Sequence, residues 1–200
     1  MKKSLCVLGA ICIFAVVLTA CTSEPNSPKN LVSPKELTQD QQDIVDLLSS
    51  DNQEILLFDY KTEGAYKSME FWVEIYENGE LIDRPSGINS YSDEANPLDG
   101  QLAVLINHDT EVIWTFTASE NGSRISNTGE IAAIDSNGLG RGYGQISDPV
   151  EIEPGKEIVL YTSIYSASGI TSFSDQQRYV EELELLSQYP YVHIIKCRFE

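Results

Sequence analysis

The sequence predicts a mainly β domain, a β-sandwich with two flanking helices over about 35–49 and 175–188. Three observations carry that prediction. Apolar residues recur with period two in MEFWVEIY (69–76), where Met69, Phe71, Val73 and Ile75 alternate with Glu70, Trp72, Glu74 and Tyr76. Two pairs of such runs flank short turn signals, at Asn78-Gly79 and at His108-Asp109. Two patterns of capping residue followed by an apolar stripe, after Ser33 and after Ser174, mark helices.

Taken from the N-terminus, Lys2 and Lys3 precede an unbroken apolar run, LCVLGAICIFAVVL (5–18). At 14 residues it is shorter than the roughly 20 needed to span a bilayer, and it fits the apolar region of a signal peptide. Leu18-Thr19-Ala20-Cys21 follows. These residues resemble the lipobox of bacterial lipoproteins: Leu, a small or polar residue, Ala or Gly, then Cys. The resemblance implies a diacylglyceryl group on the Cys21 sulfur and cleavage before it. It makes 1–20 a signal peptide and places the chain on the extracytoplasmic side of the cell membrane, held by two acyl chains. Two chains anchor stably where one binds only marginally.

TSEPNSPKNLVS (22–33) is rich in Ser, Pro and Asn and reads as a tether of about 20 Å, leaving 34–200 as a single domain. Ser33 as N-cap, Pro34 at the first helical position and Glu36 three after the cap start the first helix. Its stripe is Leu37, Gln41, Ile44 and Leu48, with Val45 beside it. The strand MEFWVEIY ends at Asn78-Gly79, the residue pair of a type I′ hairpin turn. LAVLIN (102–107) and EVIWTFT (111–117) form a second hairpin with Val112, Trp114 and Phe116 buried. EIAAI (130–134) is a short strand. IVLYTSIY (158–165) alternates Ile158, Leu160 and Ile164 against Val159, Tyr161 and Tyr165. Tyr179, Leu183 and Leu186 stripe the second helix, Tyr189-Pro190 stops it, and YVHIIKCRF (191–199) is the last strand.

In PVEIEPGKEIVL (149–160), Pro154-Gly155 lies between two alternating runs. It resembles the Pro-Gly arc joining the two sheets of immunoglobulin-like and fibronectin-type sandwiches, which implies an immunoglobulin-like arrangement. In overall organisation the chain is similar to small uncharacterised lipoproteins of Gram-positive bacteria.

The formal charge of the 200 residues is −18; losing Lys2 and Lys3 with the leader takes it to −20. That charge excludes a nucleic-acid partner, whose phosphates need a basic footprint, and it opposes lying flat on an anionic bilayer. Of four cysteines, Cys6 and Cys12 leave with the leader and Cys21 is acylated. Cys197 alone remains, so no internal disulfide forms.

Candidate chemistry is sparse. His193 and Cys197 share a strand face but stand ~13 Å apart, too far for a nucleophile and its base, and Cys197 reads as a buried apolar residue. His108-Asp109 reads as turn residues, and two histidines leave no zinc signature. NGLGRGYG (137–144) lacks the spacing of phosphate-binding loops and reads as a loop or bulged edge strand. Arg141 within it is a scarce positive charge able to meet an acidic ligand group. Asp93-Glu94 with Asp99, and Asp135 with Asn137, could collect calcium oxygens, but neither fits the EF-hand spacing and they read as solvated acids.

The outward aromatics Trp72, Tyr76, Tyr161 and Tyr165 are the candidate ligand face. A helix covers them, or they stack on sugar rings beside Glu70 and Glu74, or they meet a protein. The expected function is a non-enzymatic binding or interaction module with no cofactor. The alternatives are a carbohydrate- or envelope-polymer-binding protein and a hydrolase, which needs two carboxylates roughly 5–10 Å apart across a cleft.

Overall fold

The computed structural model describes residues 30–50, 52–108, 111–120, 122–132, 138–169 and 176–200. Cys21, the tether up to residue 29, Asp109 and Asp135 lie outside them.

Among the described residues, twelve strands build two antiparallel sheets. The first has the order β10-β1-β2-β6-β7-β8, from Val150–Glu151, Leu31–Pro34, Gln53–Lys61, Asp99–His108, Glu111–Glu120 and Ser123–Ala132. The second has the order β4-β3-β12-β11-β9, from Glu80–Asp83, Tyr66–Glu77, Tyr191–Phe199, Ile158–Ser166 and Gly140–Gln145. β5 (Gly87–Asn96) pairs with the first half of β3, on the edge whose second half pairs with β4.

The two sheets enclose one core because each strand turns an alternate set inward. Phe58 and Tyr60 of β2, Phe71 and Val73 of β3, Val104 and Ile106 of β6, and Trp114 and Phe116 of β7 meet Ile195, Cys197 and Phe199 of β12 there. The alternation read in 69–76 and the buried set Val112, Trp114 and Phe116 are both observed. The turn at Asn78-Gly79 has positive φ at both residues, 49° and 87°, as a type I′ hairpin requires. Pro154-Gly155 lies where the chain passes from β10 of the first sheet to β11 of the second.

Four expectations need correction. Leu31–Pro34, read as the end of the tether and the start of a helix, is an edge strand between β10 and β2. Pro34 sits at its last position, where no ladder donor is needed. The first helix, α1, is therefore shorter than 35–49. It spans Gln39–Leu48, with Thr38 as N-cap and Gln41 closing the capping box.

The second helix, expected over 175–188, is one α-turn, α2 (Arg178–Glu181), and a 3₁₀ turn (Leu183–Gln188). Gln177 does not cap it; its amide bonds instead with Val159, donating to the carbonyl oxygen at 2.8 Å and accepting from N–H at 3.1 Å. Glu182 then leaves helical geometry, at φ −119° and ψ 66°.

In β11 a bulge between Val159 and Tyr161 inserts one residue and inverts the alternation beyond it. Tyr161 thus joins Leu160 in the inter-sheet core, while Ile164 turns outward with Val159. The strands β5 and most of β8 carry too few apolar residues to announce themselves.

Candidate functional site

The expected aromatic face does not reach solvent: Trp72, Tyr76, Tyr161 and Tyr165 are all buried. They divide between the two faces of the second sheet.

Trp72 and Tyr76 lie on its outer face around Glu74, itself only 1% exposed. Trp72 Nε1 donates to Glu74 Oε1 at 3.0 Å and Tyr76 OH to Oε2 at 2.6 Å. Lys196 Nζ lies 2.8 Å from Oε2, and Arg84 pairs with Oε1. Burial alone would raise the Glu74 pKa, but hydrogen bonds from Lys196, Tyr76 and Trp72 outweigh it and hold the carboxyl below its usual range. Arg84 and Arg198 stack near the Trp72 ring at 5.9 and 5.7 Å. The turns from 178 to 188 roof the rest of the face, where Tyr179 and Leu186 pack with Tyr76, Val159, Ile164, Val192 and Ile194. A covering segment is therefore what hides this face, in less regular form than a full helix.

Tyr161 and Tyr165 face the other sheet. Tyr161 OH donates to Glu54 Oε2 at 2.6 Å and accepts from Arg141 at 2.7 Å. Arg141 also pairs with Glu54, bonds Ser163 Oγ at 2.8 Å and lies 4.8 Å from the Tyr143 ring. It is thus committed inside the protein rather than free for an acidic ligand group. His108 Nε2 lies 3.3 Å from Glu54 Oε1. Burial pushes Glu54 up, yet hydrogen bonds from His108 and Tyr161 and the Arg141 charge leave its pKa lowered. The second sheet thus stands between the carboxylates of Glu54 and Glu74.

Beside this network His193 is fully buried, 5.5 Å from Trp114 and 5.4 Å from Tyr165, with neither ring nitrogen hydrogen-bonded. Burial first, then the Arg141 and His108 charges, depress its pKa to about 3. A depressed imidazole gives stability that is complete above its unfolded pKa near 6.5 and is lost as pH falls toward 3. Stability at pH 5 is therefore expected to be about 2 kcal/mol lower than at pH 7, a slope of about 1.4 kcal/mol per pH unit below 6.5. His193→Leu should flatten that slope; an unchanged slope would assign it to other groups. Cys197 is buried with its thiol pKa pushed up by desolvation, the inert core residue that its strand position implied.

One open feature among the described residues is a groove of about 710 Å³ between the β3/β5 edge of the second sheet and the β7/β8 edge of the first. Lys67, Ser90, Asn96, Glu120, Ser123 and Arg124 are among its lining residues. A break in register makes it: Tyr66 pairs with Asn96, but Ser68 pairs with Tyr91, so β5 bulges away from β3. Sequence reading missed this site because the bulge lies in a polar strand with no period-two signal. Helix α1 is also exposed, with none of its residues buried. No described helix is long and apolar enough to cross a membrane.

Neither a curated protein nor a solved structure matches the chain. The model of one family, the YgaN domain, matches residues 31–199, from the first residue of β1 to the last of β12, and the chain belongs to that family.

Proposed function

We propose that this protein is a membrane-anchored extracytoplasmic interaction module, acylated on Cys21, that acts without catalysis by docking a protein partner on helix α1. The lipobox residues 18–21 support the anchor, and with it a lipoprotein of the Gram-positive type. The Pro154-Gly155 crossover supports an immunoglobulin-like reading of the sandwich.

The observation that carries the docking role is that α1 buries none of its residues. Ile44, Leu47 and Leu48 are 57%, 84% and 74% exposed. A ten-residue helix is marginal in isolation. This one is held by its capping box and by Gln39→Asp43 and Gln42→Asp46 side-chain bonds, both 2.7 Å. Burying each large apolar side chain would contribute ~1.5–3 kcal/mol on docking, before the costs of association.

Charge and position select the occupant. Asp40, Asp43 and Asp46 flank the apolar residues and α1 has no Lys or Arg, which fits a partner groove with a basic rim and repels an anionic bilayer. Asn30 Oδ1 accepts the Glu63 and Gly64 N–H groups at 2.8 and 3.1 Å, so the chain from the tether enters at the Lys61 end of β2. α1 joins β2 at its Gln53 end, the opposite end of that nine-residue strand, or about 26 Å away at ~3.3 Å per step.

A photo-crosslinker at Leu47 in intact cells tests the reading. The expected product is one adduct whose partner peptide is apolar with flanking Lys or Arg, lost in Ile44→Lys/Leu48→Lys while the melting temperature holds. An adduct surviving that change, or a fall in melting temperature, would contradict it.

A further inference from the structure

The groove between the β3/β5 and β7/β8 edges has a charge distribution unlike the rest of the molecule. Among the described residues, every Lys and Arg except two lies within ion-pair distance of a carboxylate. The two exceptions are Lys67 and Arg124, and both line this groove. In a chain of net charge −18, two unneutralised cations at one concavity are a local reversal of sign.

The backbone places them. The N–H groups of Lys67 and Ser68 both donate to the Glu200 carbonyl oxygen, at 2.5 and 2.8 Å, which pins the start of β3. Arg124 follows the first residue of β8, opposite Ser119 at the sheet edge, and also borders a neighbouring depression. The hydroxyls of Ser90, Ser92 and Ser123 and the Asn96 amide share the lining with the cations; Ser92 Oγ accepts the Glu94 N–H at 3.3 Å and Asn96 Nδ2 donates to the Glu94 carbonyl at 2.9 Å, which leaves each with further hydrogen-bonding capacity. Glu120 is the carboxylate of the lining, and partial burial with the Asp99 charge raises its pKa. A site that pairs scarce cations with many small donors and acceptors suits a ligand bearing hydroxyls throughout and an acidic group at intervals.

We propose that this groove binds a segment of an anionic, hydroxyl-rich polymer, with Lys67 and Arg124 meeting its acidic groups and the serine and asparagine side chains its hydroxyls. Polyuronate and polyol-phosphate chains share that chemistry. Two cations are too few for an anionic lipid surface, which is recognised by clusters of about 4–8 basic residues, and too few for a nucleic-acid track. That the polymer belongs to the cell envelope rests on the extracytoplasmic reading above; binding in the groove does not.

The test is calorimetric titration of the full chain in neutral detergent with polygalacturonate fragments, poly(glycerol phosphate), dextran and phosphatidylglycerol vesicles. Binding to one or both polyanions, and not to dextran, is expected, and the polymer bound identifies the acidic group. Lys67→Gln/Arg124→Gln should weaken it about tenfold at an unchanged melting temperature, and Lys156→Gln on another surface should not. Equal binding of dextran, binding to the vesicles alone, binding to neither polyanion, or affinity indifferent to the double substitution would overturn the proposal. None of these results depends on whether α1 docks a protein or Cys21 is acylated.

Discussion

Lys196→Met is expected to destabilise the protein by about 3 kcal/mol, read as a shift in the denaturant midpoint at pH 7. The reason is what the substitution leaves behind. Lys196 and Glu74 are 3% and 1% exposed, 2.8 Å apart on the outer face of the second sheet. Removing one partner of a buried pair strands the other charge, at a cost of roughly 3–5 kcal/mol. Arg84 still reaches Glu74, and Trp72 and Tyr76 still donate to it, which puts the loss at the lower end. The double change Glu74→Gln/Lys196→Met removes both charges while keeping an amide oxygen for the Trp72 and Tyr76 donors, and should recover most of the loss.

The pH dependence supplies a second check. The Glu74 pKa is lowered in the folded protein, so its contribution is present above its unfolded pKa of about 4.5 and declines as pH falls below it. In Lys196→Met, Glu74 can take up a proton instead, so the gap between variant and parent should narrow on acidification. A gap constant with pH would show that the loss comes from packing of the lysine stem.

Phe199→Ala is the other large effect, expected at about 3–5 kcal/mol. Phe199 is fully buried one residue from the C-terminus, yet its ring lies 5.8 Å from Tyr60 and Phe71 and 6.1 Å from Tyr66. It therefore ties β2 of one sheet to β3 and β12 of the other. Its carbonyl also accepts the Gly155 N–H at 2.8 Å, at the crossover between sheets. Phe199→Leu keeps most of the volume and should cost less than about 1.5 kcal/mol. Equal losses in the two variants would indicate that ring contacts, rather than filled volume, hold this corner.

How far the sequence discloses this molecule depends on how local each determinant is. Strand β3 was legible because Met69, Phe71, Val73 and Ile75 all reach one core, and the Asn78-Gly79 turn because its backbone demands those residues. The faces of β11 were not, because one inserted residue between Val159 and Tyr161 inverts the alternation, and nothing adjacent in sequence requires it. The partner of the bulged backbone is distant in sequence: Gln177 bonds both the Val159 N–H and carbonyl from the roofing turns. The stripe of α1 was visible, but an amphipathic pattern states only that a face is apolar. Whether that face packs at home or waits for another molecule is a tertiary fact.

The groove was least legible. Lys67 and Arg124 stand out only once every other described cation has found its carboxylate, and those pairings reach across up to 128 residues of sequence. Arg141 is the converse case. As a rare cation in a glycine-rich stretch it drew notice, but Glu54 and Tyr161, far apart in the chain, claim it.

The anchored placement is the claim on which the docking role depends, and the intact mass of the native protein isolated from membranes tests it most directly. The expected result is a chain beginning at Cys21 and heavier than its peptide by a diacylglyceryl group, and release of the protein from the membrane by Cys21→Ser. A mass equal to the bare peptide, or a serine variant that stays in the membrane, would contradict it.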